Sequence, residues 1–484
     1  MRGPSRFQLS LLAVSCAASL GAQPTKRADP AASLLASIDA RAAHYGDVAR
    51  QIWGFAELGF QEVKSSALLQ GELAAQGFAV KTGIAGIPTA FTAEYGSGKP
   101  VIAIIGEFDA LPGLSQDTTP RQQPLVAGAS GHGCGHNLLG TASVASAVAV
   151  KDWMAANKIH GTLRFYGTPA EEGGAGKVYL VRDGFFDDVD VAVSWHPGDR
   201  NDVSANSTLA NISGKFRFHG VSAHAAASPE QGRSALDAVE VMDVMTNFMR
   251  EHVPQETRMH YVITNGGRAP NVVPDFAEVY YVVRHPDIRV VDQIWGRVLD
   301  AAKGAALGTG TTHEVVVTGA VYNTLINQTL AKVQQRALER VGGYTYTEAE
   351  RAWAETLRKT LTVSAVPLES TAKVWPLDFT VPAGGASTDL GDVSWRVPTV
   401  QMSAATWVPG TPAHSWQAVA ADGMSIGSKG MIVAAKAMSL MASELFTSPP
   451  TIAAARAEFE AQRGPGFVYA TRVGTQKPAL DYRK

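Results

Sequence analysis

The sequence predicts an α/β protein: a domain with a mainly parallel central sheet flanked by helices, interrupted by a smaller α+β, ferredoxin-like domain. Three observations carry this expectation. Short apolar runs recur, each closing on a polar or glycine-rich turn, and several are followed by a helical period. That alternation builds parallel sheets. Between about residues 214 and 322 the texture changes to strands paired with two helices, the make-up of a split β-α-β insert. Finally, 484 residues, 45% apolar and 18% charged, exceed one ordinary core, so two domains are expected.

The first thirty residues read as a targeting segment. Arg2 and Arg6 form a short positive region, residues 9–20 an apolar stretch, and Ser19-Leu20-Gly21 a small-residue cleavage site. This is a signal peptide over residues 1–21, which implies a secreted or periplasmic protein. Ala13-Val14-Ser15-Cys16 loosely resembles a lipid-attachment signal, but alanine three places before the cysteine is a poor match. Cleavage after Gly21 removes Cys16 and leaves Cys134 as the only thiol. A lone cysteine in an oxidising compartment is expected to be buried or held as a metal thiolate.

Residues 31–73 carry helical spacing. Strands are then expected at 101–105, closing on Gly106-Glu107-Phe108-Asp109, and at 162–166, closing on Gly167-Thr168-Pro169-Ala170-Glu171-Glu172. Residues 189–195 close on His196-Pro197, and 398–403 precede the loop that carries His414. Helical periods follow at 138–154, 177–182 and 426–446. In such sheets ligands bind beyond the carboxyl ends of the strands, where these polar residues are expected. The insert takes residues 214–324, the larger domain 31–213 and 325–446, and the Ala-, Pro- and Gly-rich extension 447–484 carries no signal.

Bulk charge excludes one class of partner. The net charge is −2 and no basic tract appears, whereas nucleic-acid binding needs a concentrated cationic face. Beyond the N-terminus no run of about 18 apolar residues exists, so no transmembrane helix is expected in the mature chain.

The chemistry-bearing residues form a joint pattern. In Gly131-His132-Gly133-Cys134-Gly135-His136-Asn137, a thiol and an imidazole two residues apart on a bend can reach one centre, and both are ordinary ligands for zinc and similar metals. A structural cysteine beside a hydrogen-bonded histidine would explain that stretch alone. Glu171-Glu172 directs neighbouring carboxylates apart, one towards a metal and one towards a water; a solvated acidic turn explains the pair alone. Cys134, His136, Glu172, His196 and His414 together, with Glu171 spare, are what two metals sharing a bridging group require. Asp109 is placed to accept the second ring N–H of a ligand histidine, although a turn cap would use it equally well. In the insert His224 lies just past a strand, Asn271 and Arg284 bracket another, and arginine can fork a carboxylate.

Taken together these motifs resemble the metal-dependent aminoacylase and glutamate-carboxypeptidase family, and more narrowly the branch of aminobenzoyl-glutamate and indoleacetyl-amino-acid hydrolases. The resemblance rests on Gly106 to Leu114, the Gly-Cys-Gly-His-Asn core within residues 132–140, Pro169 to Gly174, Gly220 to Ala225, Asn271 to Pro274, Ser387 to Trp395 and His414-Ser415. It implies an inserted lid that also makes a homodimer, or pairs with a related subunit, and two divalent ions, zinc or manganese. It implies that Cys134 is shared by the ions, with His136, Glu172, His196 and His414 completing the set. Glu171 would be the general base, His224 an oxyanion stabiliser supplied by the partner subunit, and Asn271 and Arg284 the anchors of a substrate carboxylate. The implied reaction is hydrolysis of the amide bond of an N-acyl amino acid or small peptide. Asn137 and Leu139 depart from much of the branch, which has Asp and His there; Asn137 favours the aminobenzoyl-glutamate side.

Three rival readings remain at the level of sequence: a secreted metallopeptidase or amidase with another acyl group, a thiol hydrolase using Cys134 as nucleophile, and a non-catalytic ligand-binding protein. The last predicts a missing ligand or base, and the constellation is complete.

Overall fold

The computed structural model describes residues 30–362 and 365–483, together with Met1 and Gly3. Apart from Met1 and Gly3, the expected signal peptide, with Cys16, lies outside the described residues.

Three helices open the chain, α1 (Pro30–Ala40), α2 (Ala42–Phe55) and α3 (Val63–Ala75), followed by strands β1 (Ala79–Thr82), β2 (Phe91–Ser97) and β3 (Val101–Gly106). Then come α4 (His136–Asn157), β4 (Gly161–Gly167), α5 (Gly176–Arg182), β5 (Val191–Gly198) and β6 (Asp202–Val203). The insert runs β7 (Ala210–His219), α6 (Ala235–Met249), β8 (Arg258–Asn265), β9 (Phe276–His285), α7 (Ile288–Thr309) and β10 (Thr312–Val321). The larger domain resumes with α8 (Gln328–Val341), α9 (Glu348–Arg358), α10 (Leu390–Arg396), β11 (Thr399–Ala405), α11 (Trp416–Asp422) and α12 (Ser425–Thr447), and α13 (Pro449–Arg463) follows.

The central sheet has the order β1-β2-β4-β3-β5-β11-β6. Its middle strands β4, β3, β5 and β11 are parallel neighbours, but β1 with β2, β2 with β4, and β6 with β11 pair antiparallel. The sheet is therefore mixed, and the mainly parallel expectation holds only for its centre. The reason is local. β3 is a buried apolar run, as a strand covered on both faces must be, whereas β1 is largely exposed and β6 is two residues long, too short to announce a strand by composition.

Alternation along β3 sorts its side chains between two cores. Ile102 and Ile104 join Leu138, Val148, Met438 and Leu445 beneath α4 and α12. Val101, Ala103 and Ile105 face Val178, Leu180 and Trp395 from α5 and α10. Helix α12 is long and apolar enough by composition to cross a membrane, but it is mostly buried, a core helix packed on α4 and α8.

The insert is a four-stranded antiparallel sheet, order β10-β7-β9-β8, backed by α6 and α7. The succession β-α-β-β-α-β is the expected ferredoxin-like unit. β7 begins at Ala210, ahead of the change of texture at residue 214, and α13 gives the extension a helix that sequence spacing did not announce.

Candidate metal centre

The loops at the carboxyl ends of the parallel strands converge on one point. After β3 come Glu107 and Asp109, after β4 Glu171 and Glu172, and after β11 His414. His196 lies inside β5 rather than beyond it, opposite Ser403 of β11. The strand continues through Pro197 because pairing with the last residues of β11 extends it.

The turn before α4 supplies Cys134 and His136. Gly135 is in the left-handed region, φ 71°, and a Cβ there would stand 2.7 Å from Pro197; only glycine lets the two side chains flanking it point at the same centre. Ala170 and His414, neither glycine, also have left-handed backbones, φ 59° and 57°. Such strain concentrates where a site over-determines geometry. The His414 N–H donates to the Gly133 carbonyl at 2.7 Å, tying the late loop to the thiol turn.

Three groups of ligand atoms result, each within metal-binding reach of one ion: Cys134 with His136 and His196, Cys134 with Glu172 and His414, and Glu107 with His136 and Glu171. Cys134 belongs to the first two, the arrangement a shared thiolate requires. Its Sγ is 3.5 Å from His196 Nε2, and Glu172 Oε1 is 3.1 Å from His414 Nε2. The atoms fit cations. Glu107 Oε2, His136 Nε2 and Glu172 Oε1 are buried without a hydrogen-bond partner, a cost that lone pairs aimed at a metal do not incur.

Asp109 fixes the geometry from behind. Oδ1 accepts the Nδ1–H of His136 at 2.9 Å, and Oδ2 accepts the backbone N–H of Glu172 at 2.9 Å. One carboxylate thus orients a ligand of each group. Burial opposes charge on His136, but Asp109, Cys134 and Glu107 outweigh it and push its pKa well above the usual histidine range. Burial raises the Cys134 thiol, helped by Glu172. Burial also drives the Glu171 carboxyl well above its ordinary range, and the charges of Glu107 and Glu172 add to this; bound cations would pull the other way.

Beneath the cluster a lysine is shut in completely. Lys177 Nζ is 2.7 Å from Glu107 Oε1 and 2.6 Å from Asp389 Oδ1, all three residues being at most 1% exposed. Sequence alone does not announce this trio: a lysine in Gly-Ala-Gly-Lys gives no sign that it is buried, and Glu107 is legible only as a polar residue at a strand end.

Beside Glu171, Glu172 and His414 a cleft of about 400 Å³ opens between the domains, lined also by Asn211, Tyr280, Arg284 and Ser387. The Arg284 guanidinium donates to Ser387 Oγ at 3.1 Å. His224 and Asn271 are not brought to this cluster within one chain. They sit exposed and together at the end of the insert, where His224 bridges Val272 and the Ala225 N–H donates to the Asn271 carbonyl at 3.0 Å. Asn137 is no ligand: its amide donates to the carbonyls of Ala49 and Asp422.

The extension also reaches the site. The Tyr482 hydroxyl donates to the Glu172 carbonyl at 3.3 Å, its ring meets Phe60 edge-on, and Arg483 Nη1 donates to the Ala110 carbonyl at 3.5 Å.

A family model for the peptidase dimerisation domain matches residues 207–309, the insert. The chain is 44% identical over 435 residues to one of the subunits of p-aminobenzoyl-glutamate hydrolase of Escherichia coli, covering 85% of this chain and 90% of that one. It is 27% identical over 439 residues to Xaa-Arg dipeptidase of Mus musculus, with 87% and 90% covered. Among solved structures it resembles the YXEP protein of Bacillus subtilis, a dinuclear metal binding peptidase from the M20 family, with a TM-score of 0.57, 18% identity and 84% and 99% covered.

Proposed function

Since the chain belongs to the M20 family of metal-dependent amidohydrolases and peptidases, we propose that it hydrolyses the amide bond of N-acyl or N-aroyl amino acids, p-aminobenzoyl-glutamate among them, to a carboxylic acid and a free amino acid. The observation that carries this reading is the sharing of Cys134 by two ligand groups with the spare carboxylate of Glu171 beside them. Cys134, His136 and His196 would hold one divalent ion and Cys134, Glu172 and His414 the other, zinc or manganese. Bound there, two ions supply Lewis acidity and lower the pKa of water towards about 7.

The chain's own groups do the rest. Glu171, which lines the cleft beside Glu172 and His414, takes one proton from the attacking water and returns it to the leaving amine. Arg284 pairs with the carboxylate of the amino-acid half, in a cleft whose volume suits a small molecule. The buried Cys134 has its pKa raised, not lowered, which speaks against a thiolate nucleophile.

The insert carries an apolar face that suits a second copy of the chain. Val241, Val244, Met245 and Phe248 are exposed on one side of α6, and Ile263 is exposed on the edge strand β8, on the same face as Met259 and Tyr261. We read this as a homodimer interface through which His224 and Asn271 reach the partner's site; a related second chain would use the same face. We place the mature protein outside the cytoplasm on the pattern of Arg2, Arg6 and Ser19-Leu20-Gly21.

The test is a panel of N-acyl amino acids and dipeptides, with zinc or manganese and then with chelator. Release of a free amino acid from p-aminobenzoyl-glutamate, abolished by chelator, supports the reading. Turnover of dipeptides alone favours the peptidase reading, and turnover that survives chelation refutes both.

A further inference from the structure

Glu62 stands at the N-cap position of α3, yet its side chain caps nothing. The N–H groups of Lys64 and Ser65 are taken by Glu57 instead. Glu62 is 0% exposed, and among the described residues no lysine, arginine or histidine pairs with it. A carboxyl buried without a cation is costly unless hydrogen bonds satisfy it. Oε2 accepts from Thr89 Oγ1 at 2.9 Å, and Oε1 accepts the backbone N–H of Ala170 at 2.9 Å, 108 residues along the chain.

Ala170 precedes Glu171, and its backbone is left-handed, φ 59°, a conformation that alanine keeps only where its surroundings impose it. Its methyl is seated between two glycines: a Cβ at Gly59 or Gly174 would stand 2.9 or 2.6 Å from it. Its N–H is held by Glu62, and two residues on the Glu172 N–H is held by Asp109 at 2.9 Å. Buried carboxyls thus grip the N–H groups on both sides of Glu171. The turn closes through the Gly174 N–H, which donates to the Ala170 carbonyl at 3.0 Å. From this turn the Glu171 side chain projects towards Glu107 and His136, its carboxylate within 4.8 Å of their ligand atoms.

We propose that Glu62 is a positioning residue for Glu171: by fixing the Ala170 N–H it aims the carboxylate that takes the proton from water. This rests on the reading of Glu171 as the general base. Glu62 does not line the cleft, so its effect falls on kcat rather than on KM.

The experiment compares kcat, KM, Tm and bound metal in manganese-loaded wild type, Glu62→Leu and Glu62→Gln, on the best substrate of the N-acyl amino acid panel. Leucine removes the acceptor, whereas glutamine keeps a carbonyl for the Ala170 N–H. Glu62→Leu is expected to lose about 100-fold in kcat per metal-loaded chain, with KM within about threefold of wild type. Glu62→Gln is expected to stay within about tenfold of wild-type kcat. A residue that only stabilised the fold would lower Tm and leave kcat per loaded chain unchanged. A kcat for Glu62→Leu within about threefold of wild type therefore overturns the proposal, as does a loss in Glu62→Gln equal to that in Glu62→Leu. If Glu62→Leu does not fold, Thr89→Val removes only the hydroxyl that aims Glu62; kcat should then fall about threefold or more at unchanged KM, and no fall overturns the proposal. Crystals of Glu62→Leu supply a readout besides turnover: the Glu171 carboxylate should be displaced by about 1 Å or more, and an unmoved turn overturns the proposal. A wild-type chain inactive on the whole panel, or Glu171→Ala with wild-type turnover, refutes the reading of Glu171 as the base and the proposal with it.

Discussion

Asp109 and His136 are locked together at 2.9 Å, with the second oxygen of the same carboxylate on the Glu172 N–H. One buried residue thus orients the His136 ring and fixes the backbone position of Glu172. Asp109→Asn keeps the size but presents an amide to one of these two N–H groups. Metal affinity is expected to fall by about 10- to 100-fold. Titration with a competing chelator reads this directly; affinity equal to wild type would show that Asp109 is only a turn cap.

Glu171→Ala should remove turnover while metal content stays near two ions per chain, because Glu171 is outside both groups that share Cys134. Elemental analysis beside a rate assay separates a lost base from a lost metal. Turnover within about tenfold of wild type would mean that another group moves the proton.

His224 lies far along the insert from its own chain's cluster, exposed beside Asn271. His224→Ala is expected to cost about 100-fold or more in kcat with metal content unchanged. Mixed dimers give the sharper result. Refolding His224→Ala with Glu171→Ala should restore activity to a fraction of the population, since one site per heterodimer then has both groups. No recovery would place His224 in its own chain's site.

Arg284 lines the cleft and touches Ser387. Arg284→Ala should raise KM for an N-acyl amino acid by about 10- to 100-fold, the loss of a charge-assisted pair. The same substrate with its carboxylate amidated should show no such difference. Equal losses on both substrates would make Arg284 a structural residue.

Glu350 links α9 to α12 through Ser425 and Lys429, and its pKa is held down at about 2: burial works against the charge, and the bonds from Lys429 and Ser425 outweigh it. A depressed carboxyl stabilises the fold above its unfolded pKa and loses that contribution as pH falls through the folded one. Glu350→Gln should therefore lower Tm fully at about pH 7, progressively less below about pH 4, and not at all only once the pH lies well below about 2. A Tm difference independent of pH would assign the effect to packing.

The central strands and the convergence of these side chains were legible because burial on both faces writes β3 as an apolar run, and because polar residues at the ends of parallel strands fall on one edge of the sheet. Cys134, His136, Glu171, Glu172, His196 and His414 gather as their spacing suggested. What the sequence hid was either short or tertiary. β6 is two residues long, and the direction in which β2 pairs with β4 is set by neighbours distant in the chain. Nothing in composition distinguishes the fully buried Lys177 from a surface lysine. Nor does an Ala- and Gly-rich tail reveal that its last described residues, Tyr482 and Arg483, return to Glu172 and Ala110.

Turnover of p-aminobenzoyl-glutamate, measured while metal-free protein is titrated with manganese or zinc, tests the central claim most directly. The account predicts no activity without metal and a rise that reaches its plateau at two ions per chain. Activity in the metal-free protein, or a plateau at a single ion, would contradict a centre in which two ions share Cys134.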